Sequence, residues 1–560
     1  MASLVQGNNN SLVSKIRAID PYLKKEQEQA VEKLLLGDDV LAILPTGFGK
    51  SRIFQAYSRV KDNEMNGCSV VLVIAPLSSI IDDQITALKS SGYPATDVKF
   101  LQHEDLDRCD FKVLFSSAEN VLTTKFQDHL LNRQSELHKR VCCIVVDEAH
   151  TVETWTGKRK KRMNSRRKPD DIFRCAFGKL ATLRSFCREG TPVLALTGTA
   201  DGMTQKTICE QLIMKTPHII NISPNRKNLR FSVQKCSKSD RHKQLDWLVE
   251  LVKNVIDKST EKIPKTIIFC NSLKDIAVVL NYLLLKLGLY AYGRSKKNTP
   301  ENLVIGIFHS LSWPHCKEQI QQSIRQDGIQ RINVASSALS MGVDFPNIRY
   351  VINWGPARSL IEQHQEAGRA GRDGTQFHIV ICYHGNQLSK CDEDVKNFVK
   401  TEGCFRVAAY KPFDKTIAPL TVHHNCCSNC ARNCSCQHNG CNIKLPFEDE
   451  VIGSEDQVSM TRVVTQEDRK DVENAFLEVF KELSSGQIWF MSWFCCHTLK
   501  FLEVLHEICD DISAIDTILE MMQDFDPFFQ AEESILDMSE QYNYEFDESD
   551  SSNSLDTDEC

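Results

Sequence analysis

The sequence predicts an α/β protein with two tandem parallel-sheet lobes. A small helical metal-binding module should follow, then a helical C-terminal region ending in a disordered acidic tail. Three observations carry this expectation. Short apolar strands alternate with polar loops and helical patterns in the first part of the chain, the rhythm of a parallel sheet covered by helices. A second series with the same rhythm follows it. Beyond both lies a patch dense in cysteine and histidine.

In the first series, strands are expected at 40–44, 69–74, 113–115, 141–146 and 193–196. The first of these stops at Pro45, and Thr46, Gly47, Phe48 and Gly49 form a tight turn before Lys50 and Ser51 open a helix. Glycines let backbone N–H groups close on a phosphate, and the helix N-terminus adds partial positive charge. Lys50 supplies a full charge and the Ser51 hydroxyl a ligand for Mg²⁺. Leu44 stands where the general phosphate-loop pattern has its first glycine. At the end of the fourth strand, Asp147-Glu148-Ala149-His150 places two adjacent carboxylates. Such a pair can divide its work, Asp147 holding Mg²⁺ and Glu148 positioning and deprotonating an attacking water.

The second series, at 266–270, 303–308, 332–335, 350–353 and 378–382, has no phosphate loop of its own. Two similar lobes of which one carries the loop place a nucleotide in the cleft between them. Gln365, Arg369 and Arg372 are spaced by four and three, one face of a helix. A guanidinium reaching across the cleft would stabilise transferring charge only in the closed state, tying hydrolysis to lobe movement. The boundaries fall at 1–225, 226–385, 386–445, 446–530 and 531–560. Helical periodicity continues over 466–483 and 496–525.

The bulk numbers fit such a plan. A chain of 560 residues has room for several domains, with 42% hydrophobic and 25% charged residues. No run reads as membrane-spanning and the N-terminus lacks the form of a secretory signal, so the 23 cysteines read as intracellular thiols and metal ligands. The net charge of −7 conceals an asymmetry: residues 531–560 hold 11 acidic and no basic residues, which leaves the rest at +4. A mildly basic body permits nucleic-acid binding.

The motifs together resemble those of superfamily 2 helicases, and specifically the RecQ family of DNA helicases. LKKEQEQAV around Gln27 resembles the family's segment ahead of the phosphate loop, VIAPLSSIIDDQ its motif Ia and LALTGTAD its motif III. RINVASSALSMGVDFPNIRYVI, preceded by Gln330, resembles motif V, and QEAGRAGRDG from Gln365 to Gly374 resembles motif VI. The likeness is collinear from about Tyr22 to Cys430.

This resemblance implies two RecA-like lobes and an ATP- and Mg²⁺-dependent helicase translocating 3′ to 5′ on single-stranded DNA, with Gln27 reading the adenine edge. It assigns Arg369 and Arg372 to the γ-phosphate and lays the DNA strand across Pro76, Asn271 and Ser336. It also implies a role in DNA repair or recombination. Two alternatives stand beside it: a nucleic-acid-stimulated ATPase acting as a sensor or scaffold without unwinding, and an RNA helicase.

The sequence departs from the family in places. Lys24 replaces an arginine, Gly198 an alanine, Ser336 a threonine, and Leu339-Ser340 a Phe-Gly pair. After DEAH the family has an aromatic-rich DNA-sensing loop; here Trp155 remains, followed by eight basic residues between Lys158 and Lys168. Lys158, Arg159 and Lys160 would contact phosphates, each contact releasing counterions. The same run resembles a nuclear-import signal, so the nucleus is the expected location, with the cytoplasm as the alternative.

RecQ proteins carry a zinc module after the second lobe: one cysteine, a gap, then C-x₂-C-x₂-C. Cys404 fits the first position, Cys427 and Cys430 the last two, and His424 stands three residues before Cys427. Cys404, His424, Cys427 and Cys430 would make a Cys₃His tetrahedron for Zn²⁺. Cys426, Cys434, Cys436 and Cys441 are close enough to leave an alternative set, or a second ion, open. Expected partners are DNA, no membrane, and proteins that dock on the C-terminal helices and acidic tail.

Overall fold

The structure is a computed structural model. It describes residues 12–152, 179–237, 241–294, 299, 302–340, 345, 347–368, 370–371, 373–436, 441, 443 and 445–448. The expectations for the C-terminal helices, the acidic tail and the basic run lie outside these residues.

The first lobe is built on strands β1 (Val40–Ile43), β2 (Val70–Ile74), β3 (Ala95–Asp97), β4 (Val113–Ser116), β5 (Val141–Val146), β6 (Val193–Thr197) and β7 (His218–Asn221). They form a parallel sheet of order β3-β4-β2-β5-β6-β1-β7. Every residue of β1, β2, β4, β5 and β6 is buried, as expected for strands covered on both faces. The two strands not anticipated as strands, β3 and β7, are the edges. Both mix polar with apolar residues and are only partly buried. One buried carboxylate sets the entrance of this sheet. Asp39, just before β1, accepts from Val193 N at 2.9 Å, Lys215 N at 2.7 Å and Arg184 Nη1 at 2.5 Å. It thereby fixes the starts of β1 and β6 and the turn into β7.

The second lobe uses β8 (Leu229–Lys235), β9 (Lys265–Cys270), β10 (Ile305–Phe308), β11 (Ile332–Ala335), β12 (Ile348–Trp354) and β13 (Phe377–Tyr383), again all parallel, in the order β10-β11-β9-β12-β13-β8. The chain crosses from one sheet to the other between Asn221 and Leu229. β8 was not expected from the sequence. LRFSVQK alternates apolar and polar residues, because β8 is an edge strand whose ladder runs along β13, from Leu229↔Phe377 to Lys235↔Tyr383.

The segment after β13 is not a separate body. Leu388, Val395, Phe398, Phe405, Tyr410, Phe413 and Cys427 share one core with Leu229, Phe231 and Phe377. Arg406 is wholly buried, and its guanidinium donates to Asn225 Oδ1 at 2.5 Å, Arg226 O at 3.0 Å and the Leu229 carbonyl at the mouth of β8. Buried guanidinium groups need such pairing, and here Nη1 and Nη2 have it while Nε has none among the described residues.

One helix departs from the expectation that no run is membrane-sized. The stretch Leu273–Tyr292 is long and apolar enough by length and composition. Here it packs on the second sheet, with Ile276, Val279, Leu283 and Leu287 buried.

Candidate functional site

The phosphate loop leaves β1 at the C-terminal edge of the first sheet. Gly47 and Gly49 adopt φ of 82° and 91°, a left-handed conformation that only glycine takes without strain. Gly49 caps the helix Lys50–Glu64, so Lys50 and Ser51 stand at its first turn. Two glutamines brace the loop. Gln27, 1% exposed, donates through Nε2 to Phe48 O at 3.0 Å and Gly49 O at 2.9 Å, and its Oε1 accepts from Lys24 N at 2.8 Å. Its amide donors are therefore spent on the loop. Lys24 Nζ lies 4.0 Å from the Phe48 ring centroid. Gln84, the last residue of VIAPLSSIIDDQ, donates to Ser51 Oγ at 3.0 Å. No role for Gln84 followed from the sequence, although it ends a recognisable motif.

The carboxylate pair follows β5. Asp147 N donates to Ile74 O and Ala149 N to Leu196 O, both at 2.8 Å, so the turn is clamped to β2 and β6. Glu148 is held at φ 47°, an uncommon region for a residue with a Cβ. Burial, reinforced by the neighbouring Glu148 carboxylate, pushes Asp147 up to about 6, against the pull of Lys50. A divalent cation binding there would relieve this repulsion, which is the fit expected of an Mg²⁺ ligand.

A hydrogen-bond chain links the two lobes. Gln365 Nε2 meets His150 Nε2 at 2.6 Å, and His150 Nδ1 lies 3.1 Å from Thr197 Oγ1, which donates to Thr199 O at 3.1 Å. Burial lowers His150 from its usual range, so the ring is neutral. With the Thr197 hydroxyl proton committed to Thr199 O, the proton is assigned to His150 Nδ1 and Nε2 accepts from the Gln365 amide. His150 Nδ1 also stands 3.4 Å from Glu148 Oε2. A cleft beside this chain is lined by Pro45, Thr46 and Thr199 from one lobe and by His364 and Gly368 from the other, with Arg226 between the sheets. Arg226 Nη2 donates to Ala367 O at 3.0 Å. No role for Arg226 followed from the sequence, since it lies in the connection between lobes.

The helix carrying Gln365 corrects one expectation. It spans Leu360–Ala367 with Gly368 as its C-cap, and Gly371 follows at φ 61°. The helix therefore stops short of position 369, because the glycines of GRAG end it after Ala367. Arg369 and Arg372 themselves lie outside the described residues, as do Trp155, Lys158, Arg159 and Lys160. The other three expected contact residues stand at C-terminal strand ends: Pro76 after β2, Asn271 after β9 and Ser336 after β11. Pro76 is buried, whereas Asn271 is exposed and donates to Pro356 O at 3.0 Å.

The cysteine patch also differs from the expected set. Cys404 gathers with Cys426, Cys427 and Cys430, while His424 turns to Cys434, Cys436 and Cys441. Cys426 takes the place expected of His424. The reason is backbone geometry: 423–425 form a single 3₁₀ turn, which presents adjacent positions 426 and 427 to Cys404. Cys404 Sγ lies 3.5 Å from Cys426 Sγ and 3.9 Å from Cys427 Sγ. A tetrahedron with Zn–S of about 2.3 Å has edges of about 3.8 Å, so the Cys₄ set fits one zinc ion. Leu420 N and Cys430 N donate to Cys426 Sγ and Cys427 Sγ at 3.3 and 3.4 Å, as suits thiolates.

Two parallel-sheet lobes with a phosphate loop, a DEAH turn and a cross-lobe glutamine define a helicase core. Residues 24–206 match the family DEAD/DEAH box helicase and residues 243–374 the helicase conserved C-terminal domain. Curated proteins that the chain resembles are RecQ-type DNA helicases. The chain is 29% identical over 369 residues to the ATP-dependent DNA helicase RecQ of Pasteurella multocida, covering 64% of this chain and 50% of that one. It is 29% identical over 384 residues to the RecQ-like DNA helicase BLM of Xenopus laevis, covering 66% and 24%. The match thus spans half the length of the bacterial relative and about a quarter of the frog one. Among solved structures, the DUF1998 helicase MrfA bound to DNA and AMPPNP has a TM-score of 0.49 at 16% identity, covering 66% of this chain and 50% of that one.

Proposed function

We propose that this protein is an ATP- and Mg²⁺-dependent DNA helicase that translocates 3′ to 5′ on single-stranded DNA in repair or recombination, within the nucleus. The observation that carries the reading is the His150–Gln365 bond. It joins the DEAH turn to a helix of the other lobe, so a change at the γ-phosphate would be felt as lobe movement. The similarity to RecQ DNA helicases supports DNA as substrate, and the 3′-to-5′ sense is what the motif resemblance implies.

Within this reading Lys50 and the amides of 46–50 hold the phosphates, while Ser51 and Asp147 hold Mg²⁺, which neutralises charge on the phosphates when bound. Glu148 orients and deprotonates the attacking water. Gln27 would release a loop carbonyl to reach the adenine edge. Arg369 and Arg372 approach the γ-phosphate from the second lobe. Pro76, Asn271 and Ser336 border the DNA track, with Trp155 and the basic run 158–168 as further contacts. Cys404, Cys426, Cys427 and Cys430 hold a structural Zn²⁺.

The test is strand displacement on 3′-tailed, 5′-tailed and blunt DNA, with matched RNA duplexes and Lys50→Ala as control. Unwinding of 3′-tailed DNA alone is expected. DNA-stimulated ATP hydrolysis without displacement would favour a sensor or scaffold, and preference for RNA would overturn the substrate assignment.

A further inference from the structure

We propose that His424, Cys434, Cys436 and Cys441 hold a second zinc ion, distinct from that of the Cys₄ set, so that the chain carries two. The four donor atoms lie within 4.8 Å of one another. His424 Nδ1 is 3.5 Å from Cys434 Sγ and 3.6 Å from Cys441 Sγ. With Zn–S of about 2.3 Å and Zn–N of about 2.0–2.1 Å, a tetrahedron requires S···N edges of about 3.6 Å. Direct thiol–imidazole pairing would account for one such contact; two sulfurs on a single ring nitrogen at this distance, with a third alongside, describe the shell of an ion. Three thiolates and one imidazole select zinc among the common divalent ions.

The surroundings give the ion a task. The His424 carbonyl accepts from Arg230 Nε at 2.6 Å, which anchors the chain on β8. Further on, Glu448 receives the two remaining guanidinium nitrogens of Arg230 at 2.6 and 2.8 Å. Beside it Phe447 enters an aromatic cluster, its ring 5.3 Å from both Trp247 and His378. Between these two anchors the described regular structure is one short helix, Ser428–Arg432, with no buried residue. A stretch so poor in buried apolar side chains needs another source of order, and metal supplies it in small modules. Binding would release three thiol protons to solvent as the Zn–S bonds form. Cys426 and Cys427 are fully buried whereas Cys436 is exposed, so the second ion should leave to a chelator before the first.

The experiment uses the full chain and reads metal alone, independently of unwinding. Elemental analysis should give two zinc ions per chain, and a colorimetric chelator should remove them in two phases of equal size. Cys436→Ser/Cys441→Ser should retain one ion and lose the fast phase, with the circular-dichroism spectrum of the two lobes preserved. Cobalt titration of metal-free wild type guards against a variant that fails to fold: the thiolate-to-cobalt band should grow over two equivalents. One zinc in the wild type, saturation at one cobalt equivalent, or two ions retained by the double variant would each overturn the proposal. Loss of helicase activity with two ions still bound would count against the proposed function and leave this inference standing.

Discussion

His150 on the first lobe and Gln365 on the second meet at 2.6 Å, ring nitrogen to amide nitrogen, and this hydrogen bond ties the DEAH turn to a helix of the opposing lobe. The ring is neutral because it is buried, and its second nitrogen is engaged by Thr197. The bond therefore reports on the cleft as a whole: opening the lobes must break it.

Removing either side should uncouple the lobes without emptying the nucleotide site. Gln365→Ala and His150→Ala are each expected to lower DNA-stimulated ATP hydrolysis by about tenfold or more, with nucleotide affinity little changed. Because both delete the same bond, the double variant should be no worse than the worse single one. Steady-state hydrolysis with and without single-stranded DNA measures all three. Additive losses would show that the two residues act separately.

Lys50→Ala and Glu148→Gln should each reduce hydrolysis by about 10²–10³ or more, the range for removing a group that stabilises developing charge or activates a nucleophile. Neither side chain supports the core, so thermal unfolding should be nearly unchanged. Wild-type turnover in either variant would refute the assignment of the loop and the carboxylate pair.

Glu366, beside Gln365, gives a pH prediction. Burial, and then the nearby Glu362 carboxylate, raise it to about 8, while its bond from Asn353 Nδ2 pulls the other way. Between about 4.5 and 8 the folded protein keeps this proton and the unfolded chain has lost it. Its contribution to stability is therefore present at low pH and declines as pH rises across that window. Glu366→Gln keeps an acceptor for Asn353 and cannot ionise. It should raise the melting temperature more at pH 8.5 than at pH 6, with a gain at the higher pH of a few kcal/mol at most. An equal shift at both would rule out the protonated carboxyl.

Arg230 and Glu448 form a nearly buried, two-pronged pair on β8. Glu448→Ala strands the guanidinium and should cost about 3 kcal/mol, the low end for such a break because Glu448 is partly open to solvent. Glu448→Leu with Arg230→Met should recover much of this loss. Denaturant titration of both proteins decides it.

Much of the site was legible because its chemistry is local. PTGFGKS and DEAH each compress a turn, a charge and a helix start or strand end into a few residues, and the structure places them at the ends of β1 and β5, with only β6 between. What failed was less local. β8 was missed because an edge strand alternates, and apolar runs mark only strands buried on both faces. The helix that carries Gln365 is shorter than its charge spacing suggested and stops at Ala367, where the glycines of GRAG begin. The structure groups Cys426, not His424, with Cys404, Cys427 and Cys430; spacing alone suits both, and the 3₁₀ turn at 423–425 decides between them. Gln27 was assigned outward, to a base. Its burial could have been read from its place among the apolar residues of its helix, but its bonds to the loop could not.

The capping of β8 has a consequence for how this protein would fail in the cell. The strand's free edge is covered by the cysteine segment, through the Phe231↔Cys427 bridge, Phe231 N to Cys426 O at 3.4 Å and the Arg230 anchors. If this segment is held by zinc as proposed, a cell starved of the metal would uncover the sheet edge at Phe231, a template on which a second copy of the chain can add its own strand. Metal shortage would then appear first as insoluble protein and a falling pool of the enzyme, while each remaining soluble molecule still bound nucleotide.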